Sequence, residues 1–480
     1  MTHRPELHLL PESGILYGPA GVLLDGTTWH VFYQYAPAAD APSRWGHSFA
    51  EDDPFYWLEC DDALAAEGSE TSLRAGSVTA APDGGARLYF TSVCGEDASV
   101  GLARCATINQ TCDISDEPNT LDSTVERVGT VVAAQHGFER FRSPCVVPAW
   151  ANAADGASED RTVEHEGWLM LALTGSAEHP VPVVLRSADG LDWQFTGPLT
   201  FAGEPDFPTS DGALPPVVAP RIVRLRDEVS GDIRDILFVT IEAPTGEISG
   251  YLVGTLHGAE FQVTTGFRRL DYGHDFTRPR NTNVTPGTPY RGEGYAEALI
   301  IGLLNGRGRA DTPLNHHSWA EEGWANVLTL PRHVTLQDGV LYQTPPRHLP
   351  RAVEDSDHAR LWSGLLTIPE GSSLTVTLLD GAGEPAATVT HSGAELTIDR
   401  SLTRAFGHTY RDDAPAVAPL AEGDEDSLTV VVDGSTIEVY ADSGLVAMSS
   451  RMYFEGGCSG FRVETTGDAE IQNAFEVPGS

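Results

Sequence analysis

Residues 21–33 read Gly21-Val22-Leu23-Leu24-Asp25-Gly26-Thr27-Thr28-Trp29-His30-Val31-Phe32-Tyr33. Two β-rich runs flank an Asp-Gly pair. That pair is a strong hairpin signal, because a type I′ turn needs positive φ at both central residues. The same grammar recurs in Val78-Thr-Ala-Ala-Pro-Asp83-Gly84-Gly85-Ala-Arg-Leu-Tyr-Phe90 and in Leu428-Thr-Val-Val-Val-Asp433-Gly434-Ser-Thr-Ile-Glu-Val-Tyr440. Long helical periodicity is nearly absent, so the chain reads as all-β.

Working outward, a weak repeat appears. Asp52-Asp53-Pro54-Phe-Tyr-Trp57, Ser187-Ala-Asp189-Gly190-Leu-Asp-Trp193 and Gly254-Thr-Leu-His-Gly258-Ala-Glu-Phe261 each set a polar turn just before an aromatic. Radial repetition of four-stranded sheets produces this pattern, and a sandwich array mimics it. At 480 residues the chain suits two or three domains. Residues 150–166 read as an exposed acidic loop, and Pro345-Pro346-Arg347-His348-Leu349-Pro350 as a linker. Beyond Asp357 the strands become regular and more polar, with turns at Asp380-Gly381 and Asp433-Gly434, which suits an antiparallel sandwich. The expected organisation is a propeller over 1–340, a linker over 341–354 and a β-sandwich over 355–480.

All 30 basic residues are arginine, against 69 acidic ones, for a net charge of −39. Nucleic acid and anionic membranes are poor partners for such a surface. No apolar run reaches membrane-spanning length, and the start Met1-Thr-His-Arg-Pro-Glu lacks the apolar core of a secretory leader, so the expectation is a cytoplasmic protein. The six cysteines show no metal-binding spacing and read as buried thiols; Cys105 and Cys112 could close a loop only in an oxidising compartment. No metal or cofactor is expected.

The N-terminal segment carries Arg4-Pro5, His8, Pro11 and Gly14-Ile-Leu-Tyr-Gly-Pro-Ala-Gly21. It resembles the opening signature of the invertase/inulinase/levanase family, glycoside hydrolase family 32, which there ends Gly-Trp-Met-Asn-Asp-Pro-Asn-Gly. Further resemblances follow in order: Phe32-Tyr33-Gln34, Trp45-Gly46-His47, Ala75-Gly76-Ser77-Val78, Phe141-Arg142-Ser143-Pro144, Pro216-Val217-Val218-Ala219-Pro220, Leu270-Asp271-Tyr272-Gly273-His274-Asp275-Phe276, Gly323-Trp324 with Leu330-Pro331-Arg332, and Leu341-Tyr-Gln343-Thr-Pro345. Asp433-Gly-Ser-Thr-Ile-Glu438-Val-Tyr440 resembles the signature strand of the family's second domain. The resemblance implies a five-bladed β-propeller followed by a β-sandwich.

It also implies a site whose chemistry has changed. Retaining glycoside hydrolysis needs a nucleophilic carboxylate and a second carboxyl that acts as acid and then base, roughly 5 Å apart. The family adds a third acid that holds fructose hydroxyls. At the matching positions this chain has Gly18 for the nucleophile, Ser143 for the stabiliser and Val218 for the acid/base. The flanking Pro19, Gly21, Arg142, Pro144 and Pro220 are in place, which argues against misalignment. Glu242, Asp271 and Asp275 are the acids that could substitute, and turn roles suit the two aspartates equally well. Tyr17, Gln34, Trp45, Ser77, Arg142 and Arg278 are the expected ligand contacts, with propeller framework as the alternative for Gln34, Trp45, Ser77 and Arg142. Arg142, without an acidic neighbour, is expected to offer a free guanidinium.

The reading is a fructofuranosidase-like pseudoenzyme with a pocket for a small carbohydrate, a furanoside or a sugar phosphate. Two alternatives stay open: an active glycosidase or transferase with a rebuilt site, and a structural or partner-binding protein with a vestigial pocket.

Overall fold

The computed structural model describes residues 3–149, 167–208, 215–243, 246–285, 288, 295–305, 312–402, 414–421 and 426–480. The acidic loop expected at 150–166 lies outside them.

The strands up to Thr344 fall into five successive antiparallel groups. The first contains Gly14–Asp25, Thr28–Ala36, Arg44–Glu51 and Leu58–Glu59; the second Ser72–Ala80, Ala86–Cys94, Asp97–Cys105 and Glu126–Val132. The third contains Arg142–Pro148, Trp168–Thr174, Val181–Ser187 and Gln194–Pro198. The fourth contains Val217–Arg226, Ile233–Ala243, Gly246–His257 and Glu260–Arg269, with Thr200–Ala202 added in parallel to its last strand. The fifth contains Phe276–Val284, Ala298–Leu304, Arg332–Gln337 and Val340–Thr344. A parallel pairing of Val22–Leu24 with Thr282–Val284 joins first group to last.

Apolar packing shows why these sheets close on one another. Phe32 and Trp45 of the first group pack with Val78, Leu88 and Phe90 of the second. Tyr89 and Leu102 pack with Met170 and Leu185 of the third, and Leu171 and Val184 with Leu237 and Leu252 of the fourth. Phe238 and Tyr251 pack with Phe276 and Ile300 of the fifth, and Leu299 and Leu303 return to Leu16 and Val31 of the first. Every group therefore buries both faces against neighbours, as propeller blades do. The sequence repeat has a structural counterpart, since each of its three copies links the third and fourth strands of a blade.

The C-terminal region is a sandwich of two five-stranded antiparallel sheets. Leu374, Val376 and Leu378 face Val430, Val432 and Val439 in one core, as period-two alternation requires. The stretch read as a linker over 341–354 is structured: Val340–Thr344 is the outermost strand of the last blade, and Leu349–Glu354 is a short helix. The helix holds because Leu349, Ala352 and Val353 pack with Leu7, Leu361 and Val477 between the two domains.

Candidate functional site

The innermost strand of each blade is bulged. Register shifts occur at Leu16/Gly18, between Arg74 and Ser77, opposite Leu171/Leu173 in the third blade, between Val218 and Arg221, and between Thr277 and Arg280. A bulge re-aims side chains and lets a strand end its pairing. Four of these segments carry positive φ: Gly18 at 143°, Ser143 at 54°, Ala219 at 48° and Arg278 at 52°. Non-glycine residues reach that region only at a cost, and such strain clusters at binding sites.

The bulges surround a cavity of about 360 Å³, within the range of small-molecule sites. Tyr17, Gln34, Arg142, Ser143, Val218, Glu242 and Arg278 line it, so seven of the residues singled out in sequence meet there. Gly18 sits on the same bulge as Tyr17, and a Cβ built there would meet only Leu303 Cδ2 at 4.0 Å. Trp45 and Ser77 do not line the cavity. Trp45 is fully buried and donates its indole N–H to Arg74 O (3.0 Å), and Ser77 donates to Val146 O of the next blade (3.2 Å). Both act as framework.

Asp271 and Asp275 also lie elsewhere, because their loop turns into the sandwich. Asp271 accepts from Arg332 (2.7 Å), Ser449 Oγ (2.9 Å) and Gly273 N (2.8 Å). Asp275 accepts from Arg400 (2.7 Å) and Arg451 N (2.6 Å). Among the described residues that line the cavity, Glu242 is the single carboxylate.

The electrostatics are dominated by guanidinium groups. Arg278 donates its Nε to both oxygens of Glu247 (3.0 and 2.8 Å), and a terminal nitrogen bonds Glu247 and lies 3.5 Å from Glu242 Oε1. Burial opposes the charge of Arg278, but the Glu247 carboxylate outweighs it and holds the group above its ordinary value. Thr277 Oγ1 also donates to Glu247. The guanidinium of Arg142 is not free, contrary to expectation. It donates to the backbone carbonyls of Arg140 (3.1 Å), just before its strand, and of Gly175 (2.6 Å) and Ser176 (3.0 Å), in the turn after the neighbouring strand. Burial and the nearby Arg74 lower its proton affinity. Gln34 is engaged at both ends, donating to Ser43 Oγ (3.2 Å) and accepting from Ala75 N (2.9 Å).

Sequence reasoning missed Arg74, Glu247, Asn305 and Asn326. Arg74 immediately precedes the Ala75-Gly76-Ser77 motif, and Asn326 follows Gly323-Trp324, so each was adjacent to a recognised segment. The amide oxygens of Asn305 and Asn326 are buried without a hydrogen-bond partner among the described residues. Orphaned acceptors of this kind cost about 1–3 kcal/mol and signal a missing donor such as a hydroxyl or a water.

Metal-ligating side chains cluster only outside this cavity among the described residues, as His391–Asp426–Asp442 and His3–His317–Glu321. In the first group Gly393 N donates to His391 Nδ1 (3.1 Å). The ring proton therefore sits on Nε2, facing Asp442 Oδ1 at 3.0 Å, and that nitrogen has no lone pair for a metal. All six cysteines are thiols. Asp61 N donates to Asp113 O (2.8 Å), which brings the segments of Cys60 and Cys112 side by side. The hydrogen bond from Cys60 favours the Cys112 thiolate. No described helix is long and apolar enough to cross a membrane.

Comparison with known proteins identifies the frame around this cavity. The profile described as "Glycosyl hydrolases family 32 N-terminal domain" matches residues 8–345, and "Glycosyl hydrolases family 32 C terminal" matches residues 376–477. A raffinose invertase of Escherichia coli is 25% identical, with 94% of this chain and 90% of that protein covered. A sucrose-6-phosphate hydrolase of Bacillus subtilis (strain 168) is 24% identical, covering 98% and 93%. Among solved structures, an exo-inulinase from Aspergillus awamori aligns with a TM-score of 0.73 at 16% identity, covering 99% and 98%. A Bombyx mori β-fructofuranosidase mutant in complex with sucrose aligns with a TM-score of 0.72 at 19% identity, covering 98% and 93%.

Proposed function

Because this chain belongs to glycosyl hydrolases family 32, we propose that it is a β-fructofuranosidase-like protein whose propeller cavity binds a small carbohydrate without hydrolysing it. The observation that carries this reading is the composition of the cavity wall. Ser143 and Val218 stand where the family resemblance sets two of its acids, Gly18 stands at the third, and Glu242 is the single lining carboxylate among the described residues. One carboxylate cannot serve as both nucleophile and leaving-group acid in a retaining displacement. Glu247, the other carboxylate on Arg278, accepts four hydrogen bonds from Arg278 and Thr277 and is almost wholly buried, so it is occupied and shielded from an anomeric carbon.

Binding is retained in this reading because the cavity keeps its shape and its polar wall. The five bulges still aim backbone and side chains inward, and Tyr17 supplies a partly exposed aromatic face of the kind that covers a sugar ring. The sucrose held by the Bombyx mori neighbour supports a sugar of similar size as ligand.

The rebuilt-site alternative has one observation in its favour, the inward-facing Glu242. Both readings meet in a single pair of measurements, calorimetric titration with fructose and sucrose and product analysis of the same mixtures. Binding with sucrose left intact is the expected result. Release of fructose overturns the pseudoenzyme reading, and no binding of any sugar transfers weight to the partner-binding alternative.

A further inference from the structure

Resting on the reading of this cavity as a carbohydrate site, we propose that its ligand carries an anionic group, a carboxylate or a phosphate, held by Arg74. Arg74, Arg142 and Arg278 all line the cavity. Two more guanidinium groups sit one layer behind the wall. Arg221 is 1% exposed and donates to the carbonyls of Ser143 (3.0 Å) and Pro220 (2.6 Å). Arg280 is 5% exposed and donates to Pro19 O (2.8 Å) and Gly76 O. Neither reaches a carboxylate among the described residues, and Arg221 Nε has no partner there at all. A guanidinium keeps its proton even when buried.

Against these five cations stand Glu242 and Glu247, so the described residues of the wall and the layer behind it carry three positive charges in excess. The chain as a whole carries −39. The sign of the cavity is therefore opposite to that of the molecule and is not a by-product of a basic composition. A cleft lined by one sign of charge, with low-dielectric walls, concentrates ligands of the other.

The partners of each cation single out Arg74. Arg278 is occupied by Glu247, and Arg142 by three carbonyls. The Arg74 guanidinium makes no hydrogen bond or ion pair among the described residues, and it lines the cavity wall partly open to solvent. Burial and the neighbouring Arg278 both disfavour its charge, and an anion seated beside it relieves the second effect. Its planar fork of donors suits the paired oxygens of a carboxylate or phosphate. A neutral sugar leaves that fork unused.

The test is calorimetric titration of the full chain with two matched pairs, fructose with fructose 6-phosphate and galactose with galacturonate, and with inorganic phosphate alone. We expect at least one charged sugar to bind about tenfold or more tightly than its neutral parent. The pair that shows the gain identifies phosphate or carboxylate as the source. Arg74→Gln should remove most of that gain, read as the ratio of charged-sugar to neutral-sugar affinity within each variant, and should leave the melting temperature unchanged, because the side chain has no partner to lose. Charged and neutral sugars of equal affinity overturn this proposal and leave the carbohydrate reading standing. A gain that survives intact in Arg74→Gln overturns the assignment to Arg74. Inorganic phosphate binding as tightly as the sugar phosphate supports the anion site and overturns the carbohydrate reading. Absence of binding by every probe overturns both.

Discussion

Arg142 illustrates what a single residue can conceal. Sequence pairs it with Ser143 in place of an acid, and the fold then fills its donors with the carbonyls of residues 140, 175 and 176. Its removal should register as lost stability. Arg142→Ala is expected to lower the unfolding free energy by about 1.5–3 kcal/mol, the scale of hydrogen bonds to a charged group, read from the shift in urea midpoint. Gly18 behaves differently. Its neighbours leave room for a methyl, but φ of 143° is one that L-residues rarely adopt. Gly18→Ala should therefore cost about 1–3 kcal/mol through backbone strain alone, measured the same way, with no loss of sugar affinity. The positions of Tyr17, Gln34, Arg142, Ser143, Val218 and Arg278 were legible in the sequence because family-like motifs contain or adjoin them, whereas Glu242 was singled out only as a carboxylate that could substitute. Arg74 and Glu247 were not, since nothing in a linear string tells which side of a bulged strand a long polar side chain will take.

At the scale of strands, hairpins could be read directly and bulges could not. Asp25-Gly26, Asp83-Gly84 and Asp433-Gly434 do mark hairpins, but at each only the glycine takes positive φ, so the turns are not of type I′. The bulges at Ser143, Ala219 and Arg278 use residues that carry no turn signal, so their strain is imposed by packing between blades and not by local preference. The linker expectation failed for a related reason. Pro345-Pro346 does interrupt the chain, but the segments on either side find apolar partners and become a strand and a helix. Gln34 shows how blades are tied at the cavity rim, its amide accepting from Ala75 N of the next blade. Gln34→Leu should leave that N–H unpaired, cost about 1–3 kcal/mol and speed hydrogen exchange at the Ala75 amide relative to its neighbours.

The whole molecule is held together by a buried charge network between propeller and sandwich. His8 donates through Nδ1 to Asp433 (2.7 Å) and through Nε2 to Glu438 (3.0 Å), and Arg332 bridges Asp271 (2.7 Å) and Glu438 (3.2 Å). Burial opposes protonation of His8, but the two carboxylates raise it to about 9. Its ordinary value is 6.5, so its contribution to stability is complete below that pH and is lost as pH rises through 9. Burial pushes the Glu438 carboxyl up, yet Arg332 and His8 prevail and hold it at about 2. Its contribution is complete above the ordinary 4.5 and is lost as pH falls through 2. The melting temperature of the full chain should therefore peak between about pH 4.5 and 6.5, as far as His8 and Glu438 decide it. Glu438→Gln should lower stability by about 3–5 kcal/mol, because it leaves buried cations short of a partner, and should shrink the fall above pH 7. Sequence identified Asp433 as a turn and the segment as a family signature, but not its partners, His8 at 425 to 430 residues along the chain and Arg332 at 106.

The central claim concerns the cavity's chemistry, and fructose release from sucrose by the purified protein tests it most directly. The account predicts no release above that of a Glu242→Gln control, because among the described residues no second carboxylate lines the cavity. Turnover at an ordinary enzymatic rate of about 1 s⁻¹ or more, abolished in Glu242→Gln, would contradict it.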